Sequence, residues 1–410
     1  MEETDLAATG GAMSVSTFPV QRETFFDPPR ELLTFPPVQA VHLEDGTRSW
    51  VVTGHAEVRA VLADPRFSSD RTGAVTADNP ERARRLRELR ERRGEGTPPG
   101  SFIGMDPPEH GQYRKLLTSQ FTLRRMRALE TRIAEIVSDQ LDELAASAQP
   151  ADLVAHFAMP VPSLVICELL GVPYARRTEF QHATKTLLRR DTDVDEIERT
   201  TVAVRKFLHE LVRDKHGAPT DDILSGLIAQ SGLTDEELVN ISFLLLAAGH
   251  ETTANMLGLG TFALLCHPEQ LHILRAYPGL MPTAVEELLR YLTVISSLVP
   301  RVATEDLSIG DDLVRAGETV GLSLAAANRD GALTENPGEL DVSRARTHHL
   351  AFGHGIHQCL GQQLARSEMT VGFRALLDRF GTLRLAVAPE EVPLRSDMAI
   401  YGVHELPVAW

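Results

Sequence analysis

The spacing of apolar residues changes along the chain. Between about residues 105 and 292 they recur three and four apart, the period of a helix face, and on either side they alternate in short runs that suit strands. Helices are expected over 55–63, 124–146, 174–188, 197–215, 221–229, 281–292 and 361–380, separated by Pro, Gly and Asp. Another opens at DPPEH, with Asp106 as its N-cap and Pro107 at the first helical position. A single helix is expected from 235 to 266, because Thr234 and Glu237 have capping-box spacing and no proline follows until Pro268. Its length would be roughly 48 Å, and its middle is apolar nearly all round, so it should be buried on every side as a central strut.

Strand signals lie at both ends of the sequence. Residues 41–53 carry Asp45-Gly46 between β-branched and aromatic residues, which reads as a hairpin. Short pieces at 301–304, 307–309 and 319–323 follow the helical region, with turns at Gly310-Asp311 and Ala316-Gly317, and 383–410 reads as short strands. No internal repeat or clean linker divides the chain. The expected architecture is mainly α with a minor β component (α+β), a single domain over 15–410 preceded by a flexible tail at 1–14.

Composition narrows the function. Of 410 residues, 57 are Asp or Glu and 41 Lys or Arg, a net charge of −16, which argues against a polyanionic nucleic-acid partner. Three widely spaced cysteines, Cys167, Cys266 and Cys359, exclude a disulfide scaffold. The acidic N-terminus has no secretory pattern, and the apolar run 241–249 is far short of a membrane span, so a cytoplasmic protein with no membrane partner is expected. The segment 81–93 holds seven Arg and three Glu, but Arg84 with Glu88 and Arg87 with Glu91 stand four apart, which favours a solvated helix or lid.

Two segments carry candidate chemistry. In FGHGIHQCLGQQLAR (352–366), Cys359 stands just before a helix among Gly353, Gly355 and Gly361. A buried structural cysteine is the ordinary reading of a lone Cys. The helix start, however, favours a thiolate, and the glycines suggest that something flat and large approaches the backbone. A Rossmann fingerprint fails because Gln358 stands at the third glycine position, and a P-loop lacks its Gly-Lys-Ser/Thr. A zinc knuckle using His354, His357 and Cys359 lacks a fourth ligand. In Ala248-Gly249-His250-Glu251-Thr252-Thr253, the HExxH hydrolase pattern fails at Ala254, leaving a carboxylate and two hydroxyls inside an apolar helix. Such a polar step is either a proton path or ligand contact, or an acid paired with a buried base. Glu287 and Arg290, three apart on one helix, mean little alone.

The Phe352-Gly353-x-Gly355-x-His357-x-Cys359-x-Gly361 loop, the Ala-Gly-x-Glu-Thr-Thr step and the Glu-x-x-Arg pair occur together as in the cytochrome P-450 family, and the chain resembles its soluble actinomycete type. Residues 106–126 and 326–344 also match, so the likeness runs from about residue 15 to the C-terminus. It implies haem b (iron protoporphyrin IX) as cofactor, with Cys359 as the axial thiolate on the metal and Phe352, Gly353 and Gly361 against the macrocycle. His110, Arg114, Arg301 and His357 would hold the propionates, and Ala248 would contact the cofactor. Glu251 and Thr252 would relay protons on the oxygen-binding face, while Glu287, Arg290 and Arg344 would form a charge network supporting the cysteine loop.

The implied activity is that of a monooxygenase acting on an apolar small molecule. The chain carries no flavin or nicotinamide fingerprint, so a ferredoxin and its reductase would bring electrons, docking near Arg124, Arg125 and Arg366. Expected pocket walls are 72–102, 163–188, Ala247, Ala248, 293–299, Ile400 and Tyr401. A monomer is expected. The competing classes are a zinc hydrolase, weakened by Ala254, and a haem sensor or carrier, which would not need the Glu251-Thr252 step.

Overall fold

The structure is a computed structural model that describes residues 13–14, 21–42, 47–70, 96–121 and 123–410. Its centre is a helix over Asp235–Cys266, with the predicted bounds. The Thr234 hydroxyl accepts from the Glu237 N–H, and the Glu237 carboxylate accepts from the Thr234 N–H at 2.8 Å, so the capping box forms as its spacing requires. Burial from Leu238 to Ser242 and from Thr253 to Leu264 makes the helix a strut, but its middle, expected to be buried on every side, is incompletely covered at 243–245, 247–249 and 252.

Helices Pro160–Leu170, Val194–Gly217, Met281–Leu292 and Gln362–Arg379 surround it and share one apolar core with it. Helix Gln362–Arg379 comes close because Gly260 leaves room: a Cβ there would lie 2.6 Å from the Phe373 ring. Helix Leu123–Ala146 packs on the far side of that helix. Full burial of a Leu or Phe stabilises by about 1.5–3 kcal/mol, so this core dominates stability.

The main sheet has six strands in the order Met13–Ser14, Val38–His42, Arg48–Val52, Thr319–Leu322, Val299–Ala303 and Phe67–Ser68. It joins the strand-like pieces from both ends of the sequence. Trp50 pairs with Val320, which also pairs with Arg301, and Trp50 Nε1 donates to Glu318 at 2.7 Å. A three-stranded sheet joins Ala151–Asp152, Pro407–Ala409 and Arg384–Leu385, and Leu307–Ile309 forms a hairpin with Asp312–Val314 around Gly310-Asp311.

Four expectations are corrected. Helix Glu109–Gln120 starts after both prolines, and the Asp106 carboxylate does not cap it; it accepts instead from the Ser68 hydroxyl and the Ser69 N–H, pinning a strand end. Met13 and Ser14 are not part of a free tail, because they pair in parallel with Val41 and His42. Helix Pro160–Leu170 was not expected: nearly every position is apolar and buried, so no amphipathic period announces it. Tyr174–Arg176 is a 3₁₀ turn, and the helix expected from 174 runs Arg177–Leu188. The Asp45-Gly46 turn and the 81–93 charge run lie outside the described residues, except that the flanking strands Val38–His42 and Arg48–Val52 pair antiparallel. Among the described residues no helix is long and apolar enough to cross a membrane.

Candidate active site

The cysteine loop is shaped by its own backbone. Gly353 N–H donates to Leu350 O at 2.8 Å, Gln358 N–H to Gly355 O at 3.0 Å and Cys359 N–H to Phe352 O at 2.9 Å, which leaves Cys359 just ahead of helix Gln362–Arg379. Gly355 needs its glycine twice over: φ is +72°, and a Cβ would overlap Leu62 O on the neighbouring helix His55–Ala63. Gly353 and Gly361, by contrast, face open space.

Cys359 is solvent-accessible, yet protein surrounds it on most sides, so its accessible surface belongs to a concavity. Burial pushes its thiol up, while the Gly361 N–H, Arg114 and Arg366 pull it down. The helix start alone therefore does not secure the thiolate that the spacing suggested; a metal ion held by the sulfur would supply the remaining stabilisation of the anion.

Cationic groups gather beside the loop. Arg114, on helix Glu109–Gln120, donates to Gln358 O at 2.6 Å, and no described carboxylate pairs with it. One turn back, His110 is buried, its Nε2 has no hydrogen-bond partner among the described residues, and its ring centroid lies 4.1 Å from that of His357. Burial, then the Arg114 charge, lower the His110 pKa. Arg301 is buried on strand Val299–Ala303, with Nη1 donating to Pro300 O at 2.9 Å.

The central helix opens where its chemistry lies. Leu244, Leu245, Ala248 and Thr252 are spaced three and four apart and incompletely covered, and Ala248 is exposed although the same helix is buried on both sides of this stretch. The Thr252 hydroxyl donates to Ala248 O at 2.9 Å. Glu251 is not on this open face. Its carboxylate is buried, 2.8 Å from Arg395 Nη2 and 3.2 Å from Asn255 Nδ2.

The sequence model of the Cytochrome P450 family matches residues 279–403. Pentalenic acid synthase of Streptomyces avermitilis is 46% identical over 96% of both chains, and Vitamin D3 dihydroxylase of Streptomyces griseolus is 44% identical over 99% of this chain and 100% of its own. Among solved structures, CYP105P1 in complex with filipin I superposes with a TM-score of 0.87 at 41% identity, covering 98% of this chain and 99% of that one. Rif16 gives 0.81 at 49%, covering 95% and 98%. The chain belongs to the cytochrome P450 family. As a P450 it is an oxidoreductase, a haem-dependent monooxygenase.

The residues of this P450 fit haem. A cysteine sulfur borders a concavity whose loop glycines present backbone rather than side chains, as a flat macrocycle requires. Among the described residues the buried His110 Nε2 has no partner and Arg114 has no carboxylate, which suits groups that would face anionic propionates.

Behind the loop, the structure brings Glu287, Arg290 and Arg344 together. Arg290 is fully buried: Nε and Nη2 donate to the two Glu287 oxygens, both at 2.7 Å, and its other donors reach Asn328 O, Pro337 O and Glu339 O. Glu287 Oε1 also accepts from Arg344 Nε at 3.0 Å. Asn328 passes this order to the loop, since its Oδ1 accepts from the Leu350 N–H at 2.7 Å.

Sequence reasoning missed a second hub beside this one. Glu286 binds Arg366 Nε at 2.5 Å, and His349 Nε2 and Arg346 Nε lie 3.4 and 3.3 Å from its Oε2. Because His349 Nδ1 accepts from the Ala351 N–H, the ring proton sits on Nε2, toward the carboxylate. Burial would raise the Glu286 carboxyl, but His349 and Arg366 hold it down at about 2. Arg366, expected to be a docking residue, is thus bound inside the protein and also stacks on Phe352 at 4.5 Å. Arg125 is likewise engaged, by Gln120 and Asp221. The advance signals were the doubled acid in EELLR, for Glu286, and a base within the mostly apolar tail, for Arg395.

Proposed function

We propose that this P450 inserts one oxygen atom from dioxygen into an unactivated C–H or C=C bond of an apolar secondary metabolite, such as a polyketide, macrolide, terpenoid or steroid. Electrons come from an external ferredoxin and its reductase docking on the thiolate side. The observation that carries this reading is the open apolar stripe Leu244, Leu245 and Ala248, which ends at the Thr252 hydroxyl inside an otherwise buried helix. The names of one relative that forms pentalenic acid, of another that dihydroxylates vitamin D3 and of a third complexed with filipin I support the substrate class.

Bound haem supplies the oxygen-activating chemistry, with Cys359 as its sulfur ligand. His110, Arg114, Arg301 and His357 hold its propionates, and Phe352, Gly353, Gly361 and Ala248 shape the cavity around it. Thr252 offers a hydroxyl on the open face, and Glu251 is the adjacent acid that exchanges protons with it. Arg366 contributes positive potential to the docking face rather than a free arm. The protein acts as a monomer in the cytoplasm.

Reduction under carbon monoxide tests the ligand: a strongly red-shifted Soret band is expected, and Cys359→His should remove it. A band at the position typical of imidazole-ligated haem in the parent protein overturns the reading. Thr252→Ala should lower the product formed per oxygen consumed while oxygen consumption continues. A haem sensor or carrier would be indifferent to that change. Type-I spectral shifts across an apolar natural-product library would identify the substrate class.

A further inference from the structure

The acid on the central helix is tied to a different part of the chain from the face it serves. Residues 394–403 form a C-terminal hairpin, closed by the Leu394–Val403 bridge and by Arg395 N–H donating to Gly402 O at 2.9 Å. Both sides of the hairpin grip the same point on the helix. From one side, Arg395 Nη2 reaches Glu251 Oε2; from the other, Gly402 lies so close to Asn255 that a Cβ would overlap Asn255 Oδ1. Asn255 Nδ2 in turn donates to Glu251 O at 2.7 Å and to its Oε2.

The hairpin tip leads toward the pocket. Ile400 pairs with Ile295, and Tyr401 N–H donates to Val294 O at 2.8 Å, both partners lying just before the strand that carries Arg301. A single stretch of chain therefore links a segment near the cofactor-binding arginine to the carboxylate that serves Thr252.

The pairing is incomplete in a telling way. Arg395 is buried, and its Nε has no hydrogen-bond partner among the described residues. Glu251 receives one guanidinium nitrogen and one amide, whereas Glu287 receives a bidentate guanidinium and two further donors. His250, buried beside them, turns to Met159 and Thr184 and does not complete the pair. Proton transfer to the open face requires the carboxylate within about 3 Å of its partner there or of one bridging water, and in the position observed it points elsewhere.

We propose that Arg395 is a positioning residue that holds the Glu251 carboxylate on the C-terminal hairpin, and that movement of this hairpin releases the carboxylate to exchange protons with Thr252. The inference rests on the reading of Glu251 given above. Release is feasible because a one-point contact is given up, not a bidentate one.

The test uses the haem-loaded protein with a plant-type ferredoxin, its reductase and NADPH, without substrate. Peroxide released per oxygen consumed reports proton delivery, since forming two waters from dioxygen takes four electrons and four protons and forming peroxide takes two of each. In Arg395→Gln the peroxide fraction should change at least threefold and the solvent deuterium isotope effect on oxygen consumption should change with it. Arg395→Lys should restore at least half of the parental value. Parental values of both in Arg395→Gln overturn the proposal. So does an equal loss in Gln and Lys variants with an unaltered isotope effect, which marks a merely structural arginine.

A readout independent of turnover is the His250 imidazole, followed by NMR in the diamagnetic reduced carbonyl form. Arg395 lowers its pKa and Glu251 raises it, so removal of Arg395 should raise it. If Arg395→Gln does not fold, Gly402→Ala keeps both charges and displaces Asn255, and should shift the peroxide fraction in the same direction by a smaller factor; no shift there overturns the proposal. Absence of the red-shifted carbonyl band in the parent would instead remove the functional reading itself, so the two failures are distinguishable.

Discussion

Glu251 and Glu287 are both buried acids paired with arginine, but they are built differently. Arg290 spends all its donors, and Glu287 accepts from Arg290, Arg344 and the Asp341 N–H, so no rotation of either side chain keeps its partners. Arg395 leaves Nε unpartnered and touches Glu251 through one nitrogen. A buried network with every donor matched specifies one arrangement, and a sparsely matched one leaves a second arrangement within reach. The first type stands behind the cysteine loop, and the second beside the open helix face, the place of the proposed proton exchange.

The largest expected effect breaks the dense side of this contrast. Glu287→Ala leaves the Arg290 charge buried without a counter-ion and should cost about 3–5 kcal/mol, measured by urea denaturation, with loss of haem retention. If it costs less than about 1 kcal/mol, the network is not the rigid member of the pair.

Glu368 extends the sparse type to an extreme. It is buried on helix Gln362–Arg379, its Oε2 has no partner among the described residues, and burial alone pushes its carboxyl up to about 8. The folded pKa lies above the unfolded one, so its contribution is fully present below the ordinary carboxylate range and is lost as pH rises through about 8. Between pH 5 and 9 the parent should lose roughly 2 kcal/mol or more relative to Glu368→Gln, read from denaturation midpoints across pH.

Glu286 behaves oppositely. Its folded pKa is depressed to about 2, so its contribution is present above the ordinary carboxylate range and is lost as pH falls toward 2. Glu286→Gln should flatten the acid limb by about 1–2 kcal/mol once solvent screening is allowed for, and thermal unfolding between pH 5 and 2 measures it. The smallest effect marks the exposed end of the central helix. Thr234→Ala removes one capping bond and should cost about 1 kcal/mol without changing the peroxide fraction, which separates the helix end from its functional middle.

Helix bounds were legible wherever a local signal was strong. The Thr234–Glu237 box and the position of Pro268 place Asp235–Cys266 without reference to anything distant, and the period at 281–292 returns that helix unchanged. Helix Pro160–Leu170 was hidden because burial on all sides erases the polar face that period-reading needs. In the site, Cys359 announces itself through glycines a few residues away and Glu287 through Arg290 three residues on, whereas the partners of Glu286, His349 and Arg366, are distant in sequence.

The chain by itself determined its family and its central helix and marked Cys359 as the proposed sulfur ligand, because each is written in residues within one or two turns of one another. Tertiary structure alone decided that Arg395, 144 residues beyond Glu251, holds that carboxylate, and that Asp106 ties down a strand instead of capping a helix. The reason is physical: backbone hydrogen bonding and capping act between near neighbours in sequence. The partner of a buried charge is whichever group the packed core delivers to it, and no local pattern encodes that choice.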